Sequence, residues 1–344
     1  MLIALANWQD PEKRRRAALQ ALQTRDEEGL LELHRTYLAL KGRRRARLSP
    51  HTLAAYEAGI REFLAWIWPL EAAGPRKPLW RVGADEVDLW LHALETQGSQ
   101  RLEPPRRRPL RPASLALRLA AVRSFYRALR WAGVAAVPDT PTPTDPTPAH
   151  ERRPALPARL YAKLLDHLAG EDAASRRDHL AARLMGEAGL RLSELVALDV
   201  EDVHLEEGLL RVRRGKGGRA RSLPLGQSLL EELRAWLGLR LLYARAGESA
   251  LLINLGGRRA HGQRMGARSL QLRFAGHYRA LGFPARYRGV HLLRHTAGTR
   301  YYQGLRDLYA VAALLGHSDV NTSAIYAKMD REELKRRVEA LEQG

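Results

Sequence analysis

Apolar residues recur at helical spacing along most of the chain. Ser49-Pro50 suits a helix N-cap followed by its first position, and Leu53, Tyr56, Ile60, Phe63, Leu64 and Ile67 then fall on one face. A second helix is predicted with Ser114 as its cap. Its stripe is Leu115, Leu119, Val122, Phe125, Tyr126 and Leu129, with Arg118, Arg123, Arg127 and Arg130 off its centre. Shorter candidates near Gly29 to Leu40 and Asp85 to Leu94 complete a small helical bundle ending by residue 137. The periodicity then stops. Pro recurs at 138, 141, 143, 146, 148 and 154, so residues 138–154 read as an extended linker. At roughly 3.1 Å per residue it spans on the order of 50 Å.

Beyond it, helices are predicted at about 156–169 and 176–188, with Gly189 ending the second and Ser193 starting the next. Leu210 and Val212 alternate with Arg211 and Arg213 before Gly215-Lys216-Gly217-Gly218 and a second short run, RSLPL. That pattern predicts a β-hairpin with Lys216 near its tip. Helical spacing returns at Leu229, Leu230, Leu233, Trp236 and Leu237, and again at Leu308, Val311, Ala312 and Leu315, where Gly316 supplies a stop. No internal repeat is visible. The fold class expected is mainly α with a small β-hairpin or sheet (α+β), in two domains: 1–137 and 155–344.

A length of 344 residues agrees with two domains, each able to bury its own core. The opening MLIALANWQDPEKRRR places its basic cluster after the apolar residues, the reverse of a secretory signal, and no uninterrupted apolar run approaches the length of a membrane span. A cytoplasmic location is the expectation. The absence of Cys excludes disulfides, Cys-ligated zinc and thiol nucleophiles, so covalent catalysis would have to use another side chain. Fifty-seven basic against 38 acidic residues give a net charge of +19, and Arg far outnumbers Lys, which suits bidentate phosphate contacts. Residues 1–137 and 155–344 each carry +10, so both halves are expected to meet the same polyanion. A generally basic surface would carry the same charge, so charge alone does not choose between the two.

Near the C-terminus, His291, Arg294 and His295 fall on one helical face. An Arg between the histidines would repel a zinc ion and no HExxH carboxylate is present, so an anion fits the cluster better. For each histidine taken singly, a hydrogen-bonded core role is the better reading. Together, however, the segment resembles the second signature of tyrosine recombinases, the lambda-integrase and Xer-type enzymes: HxLRH, then LLGH, then a Tyr nine residues later. His291, Arg294, His317 and Tyr326 stand at those positions. GLRLSEL at 189–195 resembles the family's first-arginine box, and GKGGRARSLPL at 215–225 its catalytic-lysine hairpin. More weakly, SPHTLAAYEAGIREFLAWI and SLALRLAAVRSFYRAL resemble the family's DNA-clamping domain.

The resemblance implies a catalytic set of Arg191, Lys216, His291, Arg294, His317 and Tyr326, in a C-shaped two-domain clamp on double-stranded DNA. Tyr326 would attack a phosphodiester to give a 3′-phosphotyrosyl link, exchanging strands between two specific sites through a Holliday junction, with no cofactor, metal or ATP. Such attack passes through a phosphorane with added negative charge, which Arg191, Arg294 and His317 are suited to stabilise. Lys216 would protonate the leaving 5′-oxygen and His291 would assist the Tyr hydroxyl. Candidate DNA contacts are Arg43, Arg44, Arg45, Arg118, Arg123, Arg213 and Arg219, and Arg106 to Arg108 form a further basic cluster beside a cap position.

The resemblance also implies a tetramer on paired sites, of one or two kinds of chain, and a monomer is compatible with the chain off DNA. The amphipathic tail 331–344, with Leu334, Val338 and Leu341 on one face, would pack into a neighbouring protomer or back onto its own domain. Ala297-Gly298 departs from the family pattern, His295 is read as bracing its helix, and Tyr301, Tyr302 and Tyr309 are rival tyrosines read as core or surface. A type IB topoisomerase-like relaxase and a non-catalytic DNA-binding regulator remain as other readings. Chromosome-dimer resolution, mobile-element integration and inversion are equally compatible with the residues.

Overall fold

The structure, a computed structural model, describes residue 8 and residues 10–42, 48–69, 74–145, 154–213, 220–257 and 259–316. Expectations for Arg43, Arg44, Arg45, Lys216, Arg219, His317, Tyr326 and the tail 331–344 therefore lie outside the described residues. The chain divides into two compact units, Met1–Pro146 and Thr147–Gly344.

The first unit is helical: α1 Pro11–Thr24, α2 Glu27–Lys41, α3 Pro50–Ile67, α4 Ala84–Thr96 and α5 Pro112–Trp131. Ser49 caps α3 as expected, its side chain accepting from the Thr52 N–H. Helix α5 starts earlier than expected. Arg111 is its N-cap and Pro112 opens it, because the fixed φ of proline fits the first helical position, and Ser114 lies inside the first turn. Helix α1 has no counterpart among the predicted elements, since it buries mainly Ala18, Ala21 and Leu22, too narrow a stripe to stand out among charged residues. Asp10 caps it, and Arg14 ties it down by donating to the Trp8 and Trp131 carbonyls with its guanidinium 4.0 Å over the Trp131 ring. The core centres on aromatic rings: Phe63 meets Trp90 edge-on at 5.1 Å, and buried Tyr126 donates to the Leu79 carbonyl. Pro138 and Thr140, at the start of the proline-rich stretch, are buried against this unit.

The second unit comprises α6 Ala158–Leu168, α7 Ala173–Gly186, α8 Leu192–Leu195, β1 Val203–His204, β2 Leu209–Val212, β3 Arg221–Pro224, α9 Gln227–Leu241, α10 Ala267–Ala280, α11 His291–Leu305 and α12 Leu308–Leu315. Strands β2 and β3 pair antiparallel with Leu210 opposite Leu223 and Val212 opposite Arg221, as the hairpin pattern requires. The two residues of β1 add a third strand too short to leave a sequence signal. Gly316 ends α12 in the left-handed conformation, as expected. The mainly helical, small-sheet architecture thus follows the sequence pattern.

A buried charge cluster locks α7 against α10. Asp178, fully buried, accepts from Arg177 at 2.7 Å, from Arg273 at 2.6 Å and from His277 at 3.1 Å, while Arg177 also donates to the Ile253 carbonyl. Burial alone would raise the Asp178 pKa, but the hydrogen bonds from His277 and Arg273 and the charge of Arg177 hold it below the ordinary value. Asp178→Ala leaves the Arg177 guanidinium buried and unpaired, at an expected cost of about 3–5 kcal/mol. Thermal unfolding checks this: a melting temperature unchanged from wild type contradicts it.

Candidate functional site

Helix α7 ends before a turn at Gly189, whose φ of +70° places it in the left-handed region. A Cβ there would lie 2.5 Å from Leu315 Cδ2 and 3.5 Å from Ala297 Cβ, so only glycine lets this turn pass so close to α11 and α12. The turn delivers Arg191, not Ser193, as the N-cap of α8. The difference arises because Glu194 reaches back: its Oε2 accepts the Arg191 N–H at 2.9 Å, the backbone half of a capping box. Its Oε1 accepts from Arg191 Nη1 at 2.7 Å.

Two further guanidinium groups meet the same carboxylate. Arg221, opening β3, donates to Oε1 at 3.0 Å and Oε2 at 2.9 Å, and its Nε donates to the Leu314 carbonyl at 3.2 Å. Arg294, from the first turn of α11, places Nη1 3.6 Å from Oε2 while donating to the carbonyls of Gly189 and Leu315. Three guanidinium groups thus surround one buried carboxylate, an arrangement whose chemistry suits an anion. Of the three, Arg191 is the most open, its side chain 24% exposed against 11% for Arg221 and Arg294.

Burial pushes the Glu194 carboxyl up, but hydrogen bonds from Arg221 and from the Arg191 N–H, with the charges of both arginines, bring it down to about 2. A depressed folded pKa stabilises the fold above the ordinary carboxylate value of 4.5, and the contribution is lost as pH falls towards 2. The melting temperature of Glu194→Gln should accordingly lie below wild type at pH 6, and the gap should narrow between pH 4.5 and 2. A gap independent of pH rules out this ion-pair contribution.

His291 is the first residue of α11, on the face shared with Arg294 and His295, and its ring lies edge-on to His295 at 6.3 Å. It is exposed, and a Cβ at Gly289 would come within 2.7 Å of its Cε1, so the glycine leaves room for the imidazole. Of the expected catalytic residues, the structure brings Arg191 and Arg294 to one carboxylate and sets His291 one helical turn before Arg294. Lys216 falls between β2 and β3, and His317 follows Gly316 directly in the sequence. The rival tyrosines are occupied otherwise. Tyr301 and Tyr302 pack against Val311 and Leu315, and burial raises the Tyr301 hydroxyl pKa, which disfavours the nucleophilic form; Tyr309 points into solvent.

Glu194 and Arg221 escaped the residue-by-residue reading. Signals for both exist. Glu194 stands three residues after its N-cap, where a capping box places a carboxylate. Arg221 shares its strand face with buried Leu223, and an inward-facing arginine calls for an acidic partner.

The candidate DNA contacts vary in setting. Arg118 is half-buried on α5, its Nε without a hydrogen-bond partner among the described residues. Arg123 reaches the chain leaving its unit, donating to Thr142 Oγ1 at 2.7 Å and to the Thr140 carbonyl. Arg213, at the end of β2, is held by Asp199, Glu201 and Asp202. Arg107 and Arg108 donate to nearby loop carbonyls. Among the described residues no helix is long and apolar enough to cross a membrane, and no cluster of His, Asp and Glu could hold a metal ion.

Comparison with known proteins gives this geometry a family. The pattern of the phage integrase family matches residues 155–333, and that of the phage integrase N-terminal SAM-like domain matches residues 38–133. Tyrosine recombinase XerC of Chromobacterium violaceum is 35% identical over 87% of this chain and 89% of its own length. XerC of Azotobacter vinelandii is 41% identical over 64% of this chain and 71% of its own. Among solved structures, XerH site-specific recombinase bound to palindromic difH substrate in a post-cleavage complex shares the fold with a TM-score of 0.65 at 19% identity, covering 92% of this chain and 85% of that one. The Tn1549 transposon integrase in complex with transposon right end DNA does so with a TM-score of 0.66 at 16% identity, covering 89% and 98%. The chain belongs to the phage integrase family and is a tyrosine recombinase of the Xer type.

Proposed function

We propose that this chain cleaves double-stranded DNA at two specific sites through Tyr326, stores each bond as a 3′-phosphotyrosyl ester and rejoins the strands to new partners through a Holliday junction. The observation that carries this reading is the convergence of Arg191 and Arg294 on Glu194, with a cationic excess suited to a phosphodiester. As the Tyr326 oxygen attacks phosphorus, charge grows on the non-bridging oxygens. Guanidinium forks already fixed by Glu194, Gly189 and Leu315 stabilise that charge without reorganising. His317 donates a further hydrogen bond to the phosphoryl group, His291 assists removal of the tyrosine proton, and Lys216 protonates the departing 5′-oxygen. The ester conserves the free energy of the broken bond, so rejoining needs no nucleotide.

Both units contact the duplex, with Arg43, Arg44, Arg45, Arg118, Arg123, Arg213 and Arg219 among the contacts. The tail 331–344 packs onto a neighbouring protomer in a tetramer assembled on paired sites. Because phosphates supply most contacts, affinity should fall linearly in log–log terms as salt rises, by about 10³-fold or more between 50 and 200 mM for six or more phosphates. A flat salt response contradicts this mode of binding.

Testing the reaction itself requires DNA that the chain selects from its own genome, cloned as two copies on a supercoiled plasmid. Exchange between the copies in the presence of EDTA supports the proposal. Relaxation of plasmids lacking the site, without exchange, supports the relaxase reading; binding without either reaction marks a regulator.

A further inference from the structure

We propose that Arg221 is a positioning residue of this reaction: by filling half of the acceptor sites of Glu194, it keeps that carboxylate from capturing Arg294. The inference rests on the reading that Arg191 and Arg294 hold the scissile phosphate. A carboxylate offers about four lone-pair sites. Glu194 has four donors at hydrogen-bond distance, two from Arg221, at 3.0 and 2.9 Å, and two from Arg191, at 2.7 Å from the side chain and 2.9 Å from the backbone. It is saturated. Arg294 stands just outside, 3.6 Å from Oε2, and directs its fork along the Gly189 and Leu315 carbonyls.

Arg221 is itself tightly placed. Its Nε donates to the Leu314 carbonyl, and a Cβ on Gly316 would come within 3.0 Å of its Nη1, so the guanidinium lies flat against the end of α12. Without it, two acceptor sites on a buried anion stand empty with another guanidinium less than 4 Å away. The nearest compensation is Arg294, drawn into a hydrogen bond with Glu194 and turned from the phosphate. Arg221 also belongs to β3, the strand that follows the Lys216 segment, so the arm of the hairpin and the arginine pair share one anchor.

The test measures the rate of covalent adduct formation in single turnover by the full-length chain on a nicked duplex bearing its bound site, with DNA affinity and thermal unfolding recorded for each variant. Arg221→Met should slow adduct formation by about tenfold to a hundredfold, the usual effect of losing a partner that orients a site group, while affinity changes by about twofold or less. Arg221→Lys, with a point charge in place of the fork, should fall between. Because Glu194 also fixes Arg191, the discriminating comparison is a cycle with Glu194→Gln: with the charge that captures Arg294 already removed, Arg221→Met should slow the Glu194→Gln chain much less than it slows the wild-type chain. An equal or larger slowing in the Glu194→Gln chain, or an Arg221→Met chain that cleaves at the wild-type rate, overturns the proposal. If Arg221→Met does not fold, Arg221→Lys with and without Glu194→Gln carries the same comparison. Arg294→Ala runs in parallel: wild-type cleavage by it would overturn the phosphate assignment beneath the proposal, whatever Arg221 does.

Discussion

Tyr326→Phe should give no covalent protein–DNA complex on a nicked suicide duplex that traps the wild-type chain, with the adduct reduced by at least about 10³-fold and DNA binding retained. The substitution deletes one oxygen. If that oxygen is the nucleophile, no other group replaces it, because the remaining tyrosines near the arginines are committed elsewhere. Tyr301 is half-buried against α12 with its hydroxyl pKa raised, Tyr302 packs beside it, and Tyr309 stands in solvent on the far side of a helical turn from the buried face of α12. Denaturing gel electrophoresis of the reaction mixture reads the adduct directly. An adduct formed by Tyr326→Phe would show that the nucleophile lies elsewhere in the chain.

Arg191→Ala and Arg294→Ala should each slow cleavage by about 10² to 10³ or more, the usual consequence of removing one preorganised donor from a developing oxyanion. Affinity for DNA should change far less, since one phosphate contact among many is lost. The two variants should differ in stability. Arg294 bridges the Gly189 turn to the end of α12 through two carbonyls, so its loss unties α7 from α12 as well as emptying the site. Arg191 is more exposed, and Glu194 keeps Arg221 when it is gone. Thermal unfolding should therefore show a clear drop for Arg294→Ala and a smaller one for Arg191→Ala. Equal cleavage by either variant and wild type would remove the arginines from the chemistry. Lysine at either position should restore little, because a point charge does not reproduce a fork that spans two oxygens.

Much of the fold was legible in the apolar pattern. The face running from Leu53 to Ile67, the stripe from Leu115 to Leu129 and the alternation around Leu210 and Val212 each became the element expected, because burying one face is what forms such elements. Helix starts were less legible. Ser114 and Ser193 were plausible caps, but Pro112 and the back-reaching Glu194 competed locally and moved the boundaries to Arg111 and Arg191. Helix α1 was silent because alanines carry its packing.

The candidate site divides the same way. Residue types and helical spacing marked His291 and Arg294, and the resemblance to the tyrosine recombinase signatures implied Arg191 with them, since a signature is a property of the chain order. The lack of cysteine also determined that a thiol could not be the nucleophile, whereas the charge of +19 made a polyanion the expected partner without separating it from a generally basic surface. Only the tertiary structure decided that Glu194 is the hub and Arg221 its second clamp. The reason is physical: Arg191, Arg221 and Arg294 stand up to 103 positions apart, and the strength of an ion pair depends on distance and burial, which no local pattern encodes. A glutamate that reads as one more surface acid along the chain becomes, once three guanidinium groups close around it, the anion that sets the geometry of the site.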